Sequence, residues 1–297
     1  MNHIPAPLEF GYTTTTDVPL YWARYGPANA SPLLVLHGGP GASHDYLLPQ
    51  MLTLGDAGRG LVFYDQRGGG RSPADSRAPI TWRTHVDDAA RVVAELSPLH
   101  GAPLEIVGYS WGGLLALLYA IEASAGRVEP RPSRLVLLDP APVTRAYRDT
   151  FEAEFARRQA GEAVQALRRE LAQTGLRERN PSEYRQRAFK LSVAGYFADP
   201  DAARALTPFR VVARVQHSVW ESLGDFDLLR PGALDQVHCP ALVVHGREDP
   251  IPLESSTSVA RTLGARLVVL EQCGHVPYVE QPALLFRAIG DFLQRSV

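Results

Sequence analysis

The sequence has few cysteines and no excess of charge of either sign, and each shortage excludes a class of protein. Only Cys239 and Cys273 occur among 297 residues. Because two cysteines without metal-ligand spacing cannot form a disulfide framework, we expect both to be reduced. The 30 Lys and Arg residues nearly balance the 32 Asp and Glu residues, for a formal net charge of −2. This balance, with no basic run, argues against nucleic acid as a partner.

Long hydrophobic runs are also missing. No apolar stretch reaches the roughly 20 residues that a membrane-spanning helix needs. Residues 1–10 include Pro5, Pro7 and Glu9 where a secretion signal would have its apolar segment. The sequence therefore predicts a cytoplasmic protein that does not associate with a membrane. Hydrophobic residues make up 45% of the chain, and a chain of this length can bury a stable core without disulfides or metals.

Short apolar runs are present, and they alternate with helical patterns. The runs that we interpret as buried strands are 33–36, 61–64, 104–107, 135–138, 241–245 and 267–270. This alternation predicts an α/β fold, with a mainly parallel sheet covered by helices on both faces. From about residue 142 to 230 the β-branched runs give way to Arg, Glu, Ala and Gln. We predict a core of residues 1–141 and 231–297, and a helical cap of residues 142–230 over the carboxyl ends of the strands.

The pattern G-x-S-x-G directly follows the predicted strand at 104–107, as Gly108-Tyr109-Ser110-Trp111-Gly112. An apolar helical pattern comes after it. Strand, sharp turn and helix form the context in which this pattern presents a nucleophilic serine. We predict Ser110 as that nucleophile. A glycine turn at residues 37–41 follows an earlier strand. The backbone N–H groups of Gly39 and Trp111 would form the oxyanion hole.

A serine hydroxyl is a weak nucleophile until a base accepts its proton. Two later strands end in suitable residues, since Glu248 and Asp249 follow the strand at 241–245 and His275 follows the strand at 267–270. We predict that Ser110 attacks a carbonyl, that His275 takes its proton, and that Asp249 orients the imidazole. Glu248 and Asp139 remain alternatives for the acid. The sequence has no H-E-x-x-H motif and no pair of cysteines at metal-ligand spacing. We therefore expect no metal and no other cofactor.

Three segments carry a resemblance to a known family. The segments His37-Gly38-Gly39-Pro40-Gly41, Asp65-Gln66-Arg67-Gly68-x-Gly70-Arg71-Ser72 and Ser110-Trp111-Gly112-Gly113 resemble motifs of the α/β-hydrolase family, and within it those of the prolyl aminopeptidases, or proline iminopeptidases. The resemblance implies the α/β-hydrolase fold and release of an N-terminal residue, often proline, from short peptides. Esterases and amidases share the same motifs. A carboxylesterase or acyl hydrolase acting on small neutral esters or amides is therefore the alternative.

The aminopeptidase reaction implied by the resemblance requires an anion for the substrate ammonium, because a buried unpaired charge is costly. Family members place acidic residues in the cap, and some place a glutamate directly after the catalytic aspartate. Here that position is Pro250. We predict Glu221 and Asp225 as substrate-binding residues. The alternatives are Asp227, Glu152 and Glu154.

Overall fold

The computed structural model describes residues 4–27, 30, 32–56, 58–72, 74, 79–96 and 103–294. The strands are β1 (Glu9–Tyr12), β2 (Tyr21–Tyr25), β3 (Pro32–Leu36), β4 (Gly60–Tyr64), β5 (Glu105–Tyr109), β6 (Arg134–Leu138), β7 (Ala241–Gly246) and β8 (Arg266–Leu270). The α-helices are α1 (Trp82–Glu95), α2 (Trp111–Ser124), α3 (Arg145–Ala160), α4 (Glu162–Gln173), α5 (Leu176–Arg179), α6 (Pro181–Ser192), α7 (Ala213–Leu223), α8 (Leu253–Leu263), α9 (Pro277–Glu280) and α10 (Pro282–Leu293).

The strands form one sheet in the order β1-β2-β4-β3-β5-β6-β7-β8. The pairs β1–β2 and β2–β4 are antiparallel, and all later pairs are parallel. The predicted α/β fold with a mainly parallel sheet is therefore confirmed. Because parallel strands point the same way, the loops after β3, β5, β7 and β8 meet at one edge of the sheet. These loops carry the predicted catalytic residues and the predicted oxyanion-hole residues.

Helices cover both faces of the sheet, and each face has its own hydrophobic core. Successive side chains of a strand point to opposite faces. Leu34 accordingly belongs to one cluster of buried residues, while Leu33 and Val35 belong to the other. Every residue of β3 is buried, as is typical of a parallel strand that is covered on both sides.

Helices α3–α7 lie between β6 and β7 in the chain, and we call residues 145–223 the helical insertion. It contacts the core near the glycine turn, where the Val212 N–H donates to the Gly41 carbonyl over 2.9 Å. The Thr207 hydroxyl also donates to the Leu48 carbonyl over 3.1 Å. The bounds of a cap domain at residues 142–230 stay a prediction. Among the helices of the described residues, none combines the length and the apolar character needed to cross a membrane.

Candidate active site

Ser110 occupies a strained turn between β5 and α2, with φ 54° and ψ −119°. The two flanking glycines make this turn possible. A Cβ on Gly108 would lie 2.3 Å from the Gly112 carbonyl oxygen, and a Cβ on Gly112 would lie 2.1 Å from the Leu36 carbonyl oxygen. Since no side chain fits at either position, strand and helix approach closely enough to hold the serine in a conformation that L-residues rarely adopt.

The structure brings the three predicted side chains together. His275 Nε2 lies 2.9 Å from Ser110 Oγ. On the other side of the ring, His275 Nδ1 lies 2.7 Å from Asp249 Oδ2. The second carboxylate oxygen of Asp249 accepts a hydrogen bond of 2.7 Å from the Ile251 N–H. The serine, imidazole and carboxylate thus form a continuous hydrogen-bonded series, which is the arrangement that nucleophilic catalysis by serine requires.

Electrostatics favours an ionised Asp249 beside the imidazole. Burial acts to raise the pKa of Asp249, but the charge and the hydrogen bond of His275 outweigh burial, so the pKa lies below its ordinary value. Burial and the neighbouring Asp249 carboxylate raise the pKa of Asp139 well above its ordinary value. Two nearby buried carboxyls seldom ionise together. Asp249 is therefore the member of this pair that carries the charge.

The two alternative acids make other contacts. Glu248 Oε2 accepts the Cys273 N–H over 2.9 Å. Asp139 Oδ1 accepts the Gly246 N–H over 2.8 Å. Within the described residues, neither carboxylate hydrogen-bonds to His275, whose Nδ1 is paired with Asp249. The geometry thus favours Asp249 over both alternatives as the partner of the imidazole.

Asp139, His245 and Asp249 are also the described residues whose ligand atoms could surround a metal ion, since these atoms lie within 4.8 Å of one another. Most of the atoms are already paired. The Ser256 hydroxyl lies 2.9 Å from His245 Nδ1, and Asp249 serves His275. Of these three side chains, only Asp139 has a buried oxygen without a hydrogen-bond partner. Asp249 is the member of this cluster that hydrogen-bonds to the imidazole of His275.

Two residues that the sequence analysis missed hold His275 in place. The Tyr196 ring stacks on the imidazole with centroids 4.8 Å apart, and the Tyr196 carbonyl accepts the His275 N–H over 2.7 Å. The Glu280 carboxylate accepts the N–H groups of Ala198 and Gly274, each over 2.8 Å. Glu280 lies five residues after His275, near enough in sequence to be considered. Tyr196 belongs to the helical insertion, where no motif marks it.

Gln66 hydrogen-bonds both to the glycine turn and to Trp111. Gln66 Nε2 donates to the His37 carbonyl over 2.7 Å, and Gln66 Oε1 accepts the indole N–H of Trp111 over 2.8 Å. Gly39 lines the space in front of Ser110. Trp111 is the first residue of α2, and the first N–H groups of a helix have no partner within it. The two predicted oxyanion donors therefore lie on elements that one side chain joins together.

Two cavities meet at Ser110, and they differ in character. The first has a volume of about 250 Å³ and includes Arg148, Glu152, Gln216, His217 and Trp220. The second has a volume of about 300 Å³ and includes the aromatic side chains of Tyr46, Phe155, Phe189, Phe209 and Tyr278. Gly39, Tyr196 and His275 line both. The reacting groups thus lie between a polar cavity and an aromatic cavity.

The predicted substrate-binding residues Glu221 and Asp225 are not brought to either cavity. Both are exposed, and neither is among the residues that line the cavities. For Glu221 the reason is helical geometry: Trp220 lines the polar cavity, and the next residue along α7 is rotated by about 100°. Asp225 lies beyond the end of α7. Asp227 is exposed as well. Of the five acidic candidates, Glu152 is the one that lines the polar cavity.

Comparison with known proteins places this architecture in a family. A family model described as "Alpha/beta hydrolase family" matches residues 33–288. A curated relative, the proline iminopeptidase of Lactobacillus delbrueckii subsp. bulgaricus, is 28% identical over 284 residues, which cover 89% of this chain and 90% of the relative. The chain belongs to the α/β-hydrolase family.

Two solved structures show the same fold. The proline iminopeptidase of Mycobacterium smegmatis matches with a TM-score of 0.66 at 22% identity, covering 96% of this chain and 97% of that one. The esterase EaEST of Exiguobacterium antarcticum matches with a TM-score of 0.65 at 21% identity, covering 94% and 96%. At these identities, the two matches establish the fold and leave the substrate open.

Proposed function

We propose that this protein is a serine hydrolase that releases the N-terminal residue, preferably proline, from short peptides. The observation that carries the proposal is the hydrogen-bonded series Ser110–His275–Asp249, with the Glu152 carboxylate in the same cavity. The similarity to curated proline iminopeptidases over most of the chain also supports it.

The acylation step begins with the peptide carbonyl against Ser110. The Ser110 oxygen attacks the carbonyl carbon while His275 Nε2 takes the hydroxyl proton, over the 2.9 Å contact. The negative charge then moves to the carbonyl oxygen, where the N–H groups of Gly39 and Trp111 would hold it. Each donor of this kind contributes roughly 3 kcal/mol to the transition state. His275 returns the proton to the leaving amine, and the C–N bond breaks.

Deacylation repeats the sequence with water. A water molecule, deprotonated by His275, attacks the ester that joins the released residue's acyl group to Ser110. The C–O bond to the serine breaks, and the proton on the imidazole returns to Ser110 Oγ. Throughout both steps the Asp249 carboxylate, 2.7 Å from His275 Nδ1, stabilises the imidazolium and fixes its orientation. The Tyr196 ring stacks on the imidazole and limits its rotation during both steps.

Glu152 is our proposed partner for the substrate ammonium. It lines the polar cavity, where Phe151 and Trp220 provide aromatic surface for a proline ring. A carboxylate there would pair with the free amine and discriminate against a substrate whose amine is blocked, because blocking removes the charge that Glu152 would bind.

The experiment compares proline p-nitroanilide with its N-acetyl derivative and with p-nitrophenyl butyrate. We expect cleavage of the free-amine anilide and about 100-fold less of the acetylated one. Glu152→Gln should lower kcat/KM for the free amine about tenfold or more, whereas the matched control Glu221→Gln, which changes a glutamate that lines neither cavity, should not. Equal cleavage of the free and acetylated anilides, or loss through Glu221→Gln in place of Glu152→Gln, would contradict the proposal.

A second candidate function is an acyl hydrolase for small neutral esters or amides. The aromatic cavity favours it, since its lining offers an apolar surface of a size that suits an acyl chain. Glu152 is also already paired with Arg148 over 2.7 Å. Cleavage of the butyrate ester without cleavage of either anilide would select this function.

A further inference from the structure

Arg148 places a cation in the cavity that contains the nucleophile. Its side chain is 18% exposed, and it lines the same 250 Å³ cavity as Ser110 and His275. The guanidinium carbon lies 4.0 Å from the centre of the Trp220 ring. Stacking on an indole fixes the plane of a guanidinium without using its N–H donors. Arg148 is thus held in place with its hydrogen-bonding edge still available.

The pairing of Arg148 with Glu152 leaves both partners incompletely used. The recorded hydrogen bond joins Arg148 Nε to Glu152 Oε1. Among the described residues, no hydrogen bond to the two Nη nitrogens of Arg148 or to Glu152 Oε2 is found. A guanidinium has five N–H donors. Since the Nε donor of Arg148 is used by Glu152, the four donors on its Nη nitrogens can bind another group. The pair therefore offers one anion-binding edge and one cation-binding oxygen, side by side.

A solvated i,i+4 pair on a helix is the simpler interpretation, and α3 contains one for comparison. Arg145 and Asp149 also pair over 2.9 Å, but their side chains are 49% and 58% exposed, and neither residue lines a cavity described here. Arg148 differs from Arg145 in its lower exposure, in its stacking on Trp220, and in lining the cavity that contains Ser110. Those differences indicate a function beyond stabilising the helix.

We propose that Arg148 binds the C-terminal carboxylate of the substrate and that the preferred substrates are dipeptides. This inference rests on the proposed function. The ammonium of such a peptide pairs with Glu152 while its carboxylate takes the open edge of Arg148. A guanidinium binds a carboxylate through two parallel N–H donors, which gives both strength and orientation. The released leaving group is then a free amino acid.

The test compares the dipeptide Pro-Gly with Pro-Gly-amide, which differs only in the C-terminal charge, by measuring the release of proline. Wild-type protein should show a kcat/KM for the acid about tenfold or more above that for the amide, mainly through KM. Arg148→Gln should bring this ratio close to one, and Arg148→Lys should give an intermediate ratio. Arg145→Gln, the matched control on the same helix, should keep the wild-type ratio.

The outcomes separate this inference from the proposed function. Loss of the acid's advantage in Arg148→Gln, with the wild-type ratio retained in Arg145→Gln, supports a binding role, because structural damage would lower cleavage of the acid and of the amide alike and leave their ratio unchanged. A wild-type ratio near one, or a ratio that survives Arg148→Gln, overturns the inference. If proline p-nitroanilide is still cleaved in that case, the aminopeptidase proposal stands. If no free-amine substrate is cleaved at all, both are overturned.

Discussion

Helices α2 and α3 both contribute to the candidate site, yet they are held in opposite ways. Of the 14 residues of α2, 12 are buried, whereas α3 has no buried residue among its 16. Packing against the sheet fixes α2, and a displacement of α2 would disturb the whole core. Helix α3 instead carries exposed ion pairs such as Arg145–Asp149, and such pairs contribute little to stability.

This contrast separates the catalytic residues of the candidate site from the residues that we propose for substrate recognition. Ser110 precedes α2, and its position depends on contacts that cannot change without loss of the fold. Arg148 and Glu152 lie on α3, which has no buried residue and where substitutions at exposed positions cost little folding energy. A protein built in this way can keep one reaction mechanism while its substrate preference changes. Substitutions that affect α2 and α3 differently test the contrast directly.

The largest expected effect comes from Ser110→Ala. Removing the nucleophile should lower kcat by at least about 10⁴-fold on any substrate that the wild-type protein cleaves. Serine and alanine both tolerate the positive φ of residue 110 poorly, so the free energy of unfolding should change by less than about 1 kcal/mol. Kinetics and urea denaturation measured on the same preparation would check both statements. Normal turnover by this variant would refute Ser110 as the nucleophile.

Asp249→Asn should have the next largest effect, a loss of about 10⁴-fold in kcat, because an amide cannot stabilise the imidazolium and favours the wrong tautomer. Asp139→Asn is the matched control. Burial and Asp249 raise the pKa of Asp139 well above its ordinary value, which favours the neutral carboxyl that asparagine resembles. We expect a loss below about tenfold for Asp139→Asn. A larger loss from Asp139→Asn than from Asp249→Asn would exchange their roles.

The contrast between the two helices also explains what the sequence could predict. Strand and turn positions follow from apolar runs and glycines, so the fold and the carboxyl-edge positions of Ser110, Asp249 and His275 were accessible. The acidic residues of the helical insertion were not distinguishable, because nearly all occur on amphipathic or polar helices. Whether Glu152 or Glu221 faces the cavity depends on how α3 and α7 are rotated about their own axes, and no local pattern encodes that rotation.

Tyr196 illustrates the same limit from another direction. Its contact with His275 joins residues 79 positions apart, and it depends on the path of the chain between α6 and α7. Glu280 was closer to prediction, since it follows His275 by five residues. Its role still required the structure, because one of its two N–H partners, Ala198, belongs to the helical insertion.

A third substitution measures how tightly α2 is packed. In Gly112→Ala, the added Cβ would lie 2.1 Å from the Leu36 carbonyl oxygen and 2.7 Å from the His37 carbonyl oxygen. Since both atoms belong to backbone at the end of β3, relief requires moving the strand or the helix. We expect a loss of at least about 3 kcal/mol in the free energy of unfolding, measured with urea.

Gly290→Ala is the control for that measurement, because Gly290 lies within α10 and a Cβ there would meet nothing within 4 Å. Alanine is favoured over glycine in a helix, so Gly290→Ala should stabilise the protein by up to about 1 kcal/mol. Equal effects at Gly112 and Gly290 would show that close packing does not determine the position of α2.

The smallest effect is expected where the core and the helical insertion are joined, at Glu280. Burial, opposed by hydrogen bonds from the backbone N–H groups of Ala198 and Gly274, raises the pKa of Glu280 from 4.5 to about 7. The folded protein then holds a proton that the unfolded chain releases between these pH values. The stability contributed by Glu280 is therefore fully present below about pH 4.5 and is lost as the pH rises through about 7.

Urea denaturation of the wild type and of Glu280→Gln at pH 5 and pH 8 isolates this contribution. Glutamine does not titrate, and Asp139, whose pKa is also raised, is present in both proteins and cancels in the difference. We expect the wild type to lose about 2 kcal/mol more than the variant over this range. If the wild type and the variant differ by the same free energy of unfolding at both pH values, burial does not raise the pKa of Glu280. Glu280 would then join the two regions through hydrogen bonds that do not depend on its charge.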